Sequence, residues 1–227
     1  MVYPVAACRG RTNVGGSASP LLTDLFAYYT LDEASGTAVD ALATRNLTAF
    51  NSPVSTTGKI GNARAFVRAS SQYLKSSATD FNTTNSFSIA FWLNTSDISV
   101  QPPIMGVGDD YNTLMIDHTV GGRVRMFRGG LSNACTSTAT VSATTTAHAV
   151  FTVNGSTGAT KCYINGSAGG TATNTTTPSN GAINIGTSSF AWYGGWVDEC
   201  GFWTRELSAD DVALLYNSGS GRTYPFA

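Results

Sequence analysis

Hydrophobic and polar positions alternate in short runs along most of this chain, and one late segment alone has helical spacing. The alternation is cleanest from Phe87 to Trp92 (FSIAFW). Phe87, Ile89 and Phe91 fall on one face and Ser88, Ala90 and Trp92 on the other, which predicts a central strand covered on both sides. Leu25 to Leu31 predicts an early strand, turned by the polar run Asp32 to Gly36, and Gln72 to Leu74 a short one. Pro102-Pro103 breaks the chain before Ile104 to Val107 resumes it. Leu114 to Ile116 and Val124 to Phe127 read as a hairpin across Gly121-Gly122. His148 to Val153, Lys161 to Ile164 and Ile183 to Gly186 add strands, with Asn165-Gly166 a tight-turn signal. Residues 131–146, rich in Thr and Ala without a period, read as a long loop with room for one strand.

The segment from Phe190 to Gly219 combines an aromatic loop, a strand and the helix. By two-residue alternation Trp196, Asp198, Cys200 and Phe202 share one strand face, apolar except for Asp198, so that carboxylate is expected at or near a core. Ser208 is a fitting N-cap with Asp211 three residues on as its capping-box partner, and Leu207 and Val212 are placed as a hydrophobic staple. Val212, Leu215 and Tyr216 form one apolar stripe, and Gly219 is the expected stop.

At 227 residues with 42% apolar content, the chain fits one large β-sandwich. Residues 1–22, made of Pro, Gly, Ser and small residues with Arg9 and Arg11, read as an arm that is flexible or ordered by a partner. Residues 23–227 form the domain. Only 12% of residues are charged and the net charge is -1, which argues against nucleic acid or an anionic membrane as partner. No run reaches the roughly 20 apolar residues of a membrane span, and the opening MVYPVAACRGR lacks the pattern of a secretory signal. Cys8, Cys135, Cys162 and Cys200 have neither metal-ligand nor redox spacing. Free thiols used as small hydrophobes are the preferred reading over disulfides.

Several stretches carry a family likeness. Val197-Asp198-Glu199, the hydrophobic Cys200 and Phe202, Arg205-Glu206-Leu207-Ser208 and the helix end Leu215-Tyr216-Asn217 resemble the closing signature of laminin-G-like domains. Tyr28 to Asp40 is similar to the opening of that family, and Gly58-Lys59-Ile60-Gly61-Asn62-Ala63 with Ala65-Phe66 to its second landmark. Where the family has Trp-His-His, this chain has Thr146, Ala147 and His148, so two of the three positions are lost. The ending Gly221 to Phe226 is similar to those of such domains in phage structural and environmental bacterial proteins. The likeness runs from about residue 25 to the C-terminus. It implies an antiparallel β-sandwich of the concanavalin A-like jelly-roll type with one short C-terminal helix. It also implies a non-catalytic recognition module, lectin-like, on a virion surface or otherwise extracellular, binding surface glycans. The other reading is a virion decoration protein that binds capsid or tail subunits through its arm and sheet, with homo-oligomers compatible with either.

The same likeness implies a structural Ca²⁺ with Asp198 as its side-chain ligand and carbonyls near Asp32, Glu33 and the Gly58–Gly61 turn completing an oxygen-only shell. The residues themselves leave an alternative open, in which Asp198 accepts backbone N–H groups or pairs with Arg64 or Arg205. Some proteins of this fold are glycosidases, which need two carboxylates flanking the scissile bond. Asp198 and Glu199 are adjacent and expected to point opposite ways, Asp109-Asp110 and Asp210-Asp211 sit in a turn and a helix start, and His118 and His148 have no nucleophile beside them. An enzyme is therefore not expected. The candidate ligand-binding residues are the loop aromatics Trp192 and Tyr193, beside Phe190, and the polar loop Asp109, Asp110, Tyr111 and Asn112. Aromatic rings stack on sugar faces while carboxylates and amides bond hydroxyls. The competing reading has Trp192 or Tyr193 plugging the end of the sandwich. Arg123, Arg125 and Arg128 make a small basic stripe read as a solvated face.

Overall fold

The structure, a computed structural model, describes residues 18–108, 113–130, 135–175, 180–188 and 191–227. Asp109, Asp110, Tyr111, Asn112, Phe190, Cys8 and most of the expected arm lie outside the described residues. The first third of the chain forms β1 (Leu25–Tyr29), β2 (Leu47–Phe50), β3 (Val54–Thr57), β4 (Asn62–Phe66), β5 (Tyr73–Ser76) and β6 (Phe81–Asn82). The middle forms β7 (Phe87–Thr95), β8 (Pro103–Val107), β9 (Leu114–His118), β10 (Arg123–Arg128), β11 (Cys135–Thr140) and β12 (Ala147–Val153). The rest forms β13 (Ala159–Ile164), β14 (Ser167–Thr173), β15 (Asn180–Gly181), β16 (Ile183–Ile185), β17 (Thr187–Ser188), β18 (Ala191–Trp192), β19 (Gly195–Trp203) and the helix α1 (Ala209–Tyr216). The stretch read as a long loop contains β11, which pairs with β10. Its Thr-rich sequence buries only Cys135 and Ser137 of the strand, too few apolar positions to show a period.

Two antiparallel sheets face each other. One runs β14-β13-β12-β7-β19-β4-β3, with β1 added along β19, and the other runs β11-β10-β9-β8-β16-β5-β2. The FSIAFW strand lies between β12 and β19, in the middle of its sheet as its two-sided pattern predicts. Phe87, Ile89, Phe91 and Leu93 point inward against Ile104, Ile116, Ile183 and Ile185 from the other sheet, forming the main core. Burying such side chains stabilises by about 1.5–3 kcal/mol each.

The outer face of the eight-stranded sheet is also covered. Tyr28, Ala90, Val150, Tyr163 and Trp203 meet Leu207, Val212 and Leu215 of the helical segment, together with Leu21 and Phe226 from the chain ends. Trp203 Nε1 donates to the Leu21 carbonyl at 2.8 Å. The capping box forms as its residues imply. Asp211 N donates to Ser208 Oγ at 3.1 Å and Ser208 N to Asp211 Oδ2 at 2.9 Å. Arg205 Nη1 adds a bond to the same Oδ2 at 2.8 Å. The helix stops earlier than Gly219, because Asn217 takes the left-handed conformation (φ 48°) as C-cap. Asn tolerates that conformation at low cost through its short polar side chain.

The strand β19 departs from simple alternation. Its pairing with β7 shifts between Asp198 and Gly201, and Glu199 is left-handed (φ 50°), the signature of a β-bulge. Val197, Cys200 and Phe202 therefore face the main core. Asp198 and Glu199, consecutive in sequence, both turn to the outer side. The expected shared face of Trp196, Asp198, Cys200 and Phe202 is thus split, and the expected opposition of Asp198 and Glu199 is lost.

Among the described residues no helix lies over the outer face of the seven-stranded sheet. Thr48 and Phe50 of β2, Tyr73 and Lys75 of β5, Met115 and Asp117 of β9 and Arg125 and Phe127 of β10 alternate with core residues and emerge on it. The β17–β18 hairpin lies across β8 on that face. Gly106 makes room for it, since a Cβ there would stand 2.9 Å from Ser188 Oγ.

Candidate functional site

Three depressions on the open face are lined by described residues. The largest, about 790 Å³, is lined by Thr48, Phe50, Tyr73, Lys75, Gly108, Thr113 and Asn180, among others. Phe50 and Tyr73 are cross-strand partners in the β2–β5 ladder. Their rings stack with centroids 4.5 Å apart and planes 3° from parallel. Phe50 keeps 37% of its surface exposed, an apolar plate open to solvent beside hydroxyls, an amide and an ammonium. Gly108 and Thr113, which flank the undescribed residues 109–112 in sequence, both line this groove. Phe50 and Tyr73 escaped the sequence reading. Their only signal is alternation within two short strands, and nothing there tells that the two strands pair.

The second depression, about 330 Å³, is formed by Arg68, Val100, Gln101, Pro102, Ala191 and Trp192. The third, about 400 Å³, is formed by Gln101, Met115, Asp117, Arg125 and Phe127 and so adjoins it. Trp192 and Tyr193, neighbours in sequence, part company here. Trp192 is half-buried at the cavity, whereas Tyr193 is fully buried in the main core near Phe66. Tyr193 therefore plugs the sandwich and is corrected out of the candidate ligand-binding set, while Trp192 keeps an accessible position. The basic stripe is not merely solvated. Arg125 donates to the buried Asp117 through Nε at 2.9 Å and through Nη2, and its guanidinium lies 4.8 Å from the Phe127 ring centre.

On the opposite side of the molecule Asp198 is fully buried. Its Oδ2 accepts the amides of Lys59 at 2.7 Å and Ile60 at 3.0 Å, while its Oδ1 has no partner. Arg64 instead pairs with Glu33 at 3.2 Å and Arg205 with Asp211, so neither neutralises Asp198. Gly58 is required where the turn passes, since a Cβ would stand 2.6 Å from Asp198 Oδ2. Glu199 Oε2 accepts from the Tyr28 hydroxyl, and its Oε1 has no partner either. Burial pushes both carboxyls up to about 7, with backbone N–H bonds opposing this for Asp198 and the Tyr28 bond for Glu199. Among the described residues no three His, Cys, Asp or Glu side chains are gathered closely enough to hold a metal.

Both histidines are buried. His148 is sealed against Trp92, 4.8 Å between ring centres, and burial lowers it to about 3. His118 lies buried, 3.0 Å from Thr95 Oγ1. The bulge does bring two carboxylates to one side, but Asp198 and Glu199 are only 0% and 4% exposed and border none of the three depressions.

The profile of the concanavalin A-like lectin/glucanases superfamily, laminin-G type, matches residues 68–213. The chain belongs to this superfamily. Several solved structures resemble this chain in fold at low sequence identity. Domain 4 of AbnA, an extracellular arabinanase of Geobacillus stearothermophilus solved with arabinotriose, has a TM-score of 0.68 at 18% identity, covering 88% of this chain and 98% of that one. A Trypanosoma rangeli sialidase in complex with the inhibitor DANA gives 0.67 at 13% identity, covering 87% of this chain and 33% of the sialidase. A structure of botulinum neurotoxin type C, described as entering cells through two ganglioside molecules, gives 0.68 at 14% identity, covering 89% and 53%. The laminin-G-like chain thus spans a third to a half of the latter two proteins. A search of curated protein sequences found no match. Among the described residues no helix is long and apolar enough to cross a membrane.

Proposed function

We propose that this jelly roll is a non-catalytic glycan-recognition module whose binding face is the uncovered outer face of the seven-stranded sheet. One observation carries the reading: the stacked Phe50–Tyr73 pair on the wall of the 790 Å³ groove. A planar apolar surface bordered by Thr48, Lys75 and Asn180 offers a sugar both a stacking platform and hydroxyl partners. Ligand sites of this size in β-sandwiches combine apolar rings with a few placed polar groups. The similar domains solved with arabinotriose or described with gangliosides support sugar recognition as the general activity. On this reading the domain works where glycans are displayed, on a cell exterior or a virion. An assembly role toward capsid or tail subunits draws on residues 1–22, of which only 18–22 are described, and no particular contact favours it.

A glycan array of the purified chain tests the proposal, with the double variant F50A/Y73A as control. Binding to neutral oligosaccharides that the double variant loses supports it. A blank array across folded preparations, or neutral-oligosaccharide hits indifferent to both rings, overturns it.

A Ca²⁺ at Asp198 belongs to the same proposal. The fit rests on the buried, unpartnered Oδ1 and on a turn, Gly58 to Gly61, moulded around the carboxylates of Asp198 and Asp32. With too few clustered carboxylates for an all-side-chain cage, the remaining ligands would be backbone carbonyls, which suit a hard cation. The ion would offset the cost of the ionised Asp198 and brace the turn, far from the sugar groove.

A further inference from the structure

We propose that the cavity between Arg68 and Trp192 is a second subsite, which takes the carboxylate of an acidic sugar. The inference deepens the glycan reading and rests on it. Arg68 sits on the short turn Arg68–Ser70 and is fixed by donating Nε to the Trp192 carbonyl at 3.2 Å. Its Nη2 is buried without a partner, and no ion pair to it occurs among the described residues. A guanidinium held in place with unspent donors differs from a solvated surface arginine. It is already ordered, so little side-chain entropy remains to be lost when an anion docks.

The remaining walls fit a sugar ring that bears the anion. Trp192 supplies an indole, and Val100 and Pro102 supply apolar floor. Gln101 accepts from Arg125 Nη2 at 3.5 Å through Oε1, leaving its NH₂ as a donor. None of the residues lining this cavity is acidic. Of the carboxylates nearby, Asp97 is drawn on by the Arg68 charge from outside the cavity lining and accepts from Ser99 N and Oγ, and Asp117 is committed to both Nε and Nη2 of Arg125. The cavity is therefore cationic beside an aromatic plate, and a carboxylate on a pyranose is the ligand chemistry that uses both at once. A neutral sugar would stack on Trp192 but gain no charge-assisted bond from the Arg68 guanidinium.

Isothermal titration of the full chain with 3′-sialyllactose, trigalacturonate and neutral lactose tests this and separates a sialate from a uronate source. At least one acidic sugar is expected to bind, and more weakly as salt is raised. Its affinity is expected to fall roughly 10- to 100-fold in R68Q, the range of a charged hydrogen bond, and less in R68K. The same loss is expected in W192A, with quenching of tryptophan fluorescence by the acidic sugar abolished there. F50A/Y73A should leave acid binding intact. Should R68Q unfold, R68K carries the test, since it keeps the charge and loses the fork geometry. Equal binding of acidic sugar by wild type, R68Q and R68K overturns the subsite, as does a preference for lactose. If F50A/Y73A abolishes all sugar binding while Arg68 variants change nothing, the groove stands and this subsite falls. If no sugar binds at all, both fall.

Discussion

Replacing Asp198 with Asn tests how the bulge in β19 pays for a buried carboxylate. Burial moves Asp198 from an ordinary 3.8 to about 7 in the folded chain. At roughly 1.4 kcal/mol per pH unit, full ionisation costs the fold about 4 kcal/mol relative to the unfolded chain. The folded value lies above the unfolded one, so protonation favours folding. The cost is nearly absent below about pH 4, grows as pH rises and is complete above about pH 7 to 8, with about 2–3 kcal/mol of it falling between pH 5 and 8. Asn is neutral throughout and keeps a carbonyl oxygen for the Lys59 and Ile60 amides, so D198N lacks this cost. His148, lowered to about 3, and His118, also lowered by burial, act in the opposite sense. Each loses stability as pH falls below its unfolded value near 6.5, so the wild-type profile alone is a sum of opposing slopes. Both histidines are common to the two proteins, whereas Glu199, which the Asp198 charge helps to raise, is relieved of that repulsion in D198N. The difference between the two proteins therefore reports Asp198 together with its repulsion of Glu199, both of the same sign. Urea unfolding in the presence of a chelator should show D198N gaining about 2–3 kcal/mol on the wild type between pH 5 and 8. A difference that stays flat with pH, or that grows toward acid, refutes the burial argument.

Added Ca²⁺ at about pH 7.5 should raise the melting temperature of the wild type and leave D198N unchanged; no effect on the wild type removes the ion from the proposal. Ser208→Ala should cost about 1 kcal/mol in urea unfolding, because Asp211 N loses its acceptor and Asp211 Oδ2 loses one of its donors. Trp203→Phe should destabilise by about 1–3 kcal/mol, since it leaves the Leu21 carbonyl without its buried donor; a variant as stable as wild type would mean that residues 20–22 are not fastened through this bond.

Much of the framework is legible along the chain, because it depends on local spacing. The alternation of Phe87 to Trp92 marks a strand with two covered faces, and it lies mid-sheet. Ser208, Asp211, Leu207 and Val212 specify the helix start through groups at most five residues apart, and all four act as read. Two-residue periodicity fails at β19, where the left-handed Glu199 inserts a bulge. No sequence rule announces it, and it swings Asp198 and Glu199 to one side while returning Cys200 to the core. The proposed binding face is the least visible feature. Phe50 and Tyr73 lie in separate short strands, and Arg68 and Trp192 are more than a hundred residues apart, so only sheet pairing brings each pair together. Trp192 and Tyr193 look equivalent as neighbours in a Gly-flanked loop, yet one lines a cavity and the other fills the core, because the β17–β18 hairpin ends between them. Which face stays open is decided by where α1 and the chain ends settle. They bury the outer side of one sheet, and the apolar and charged side chains of the other stay open to solvent.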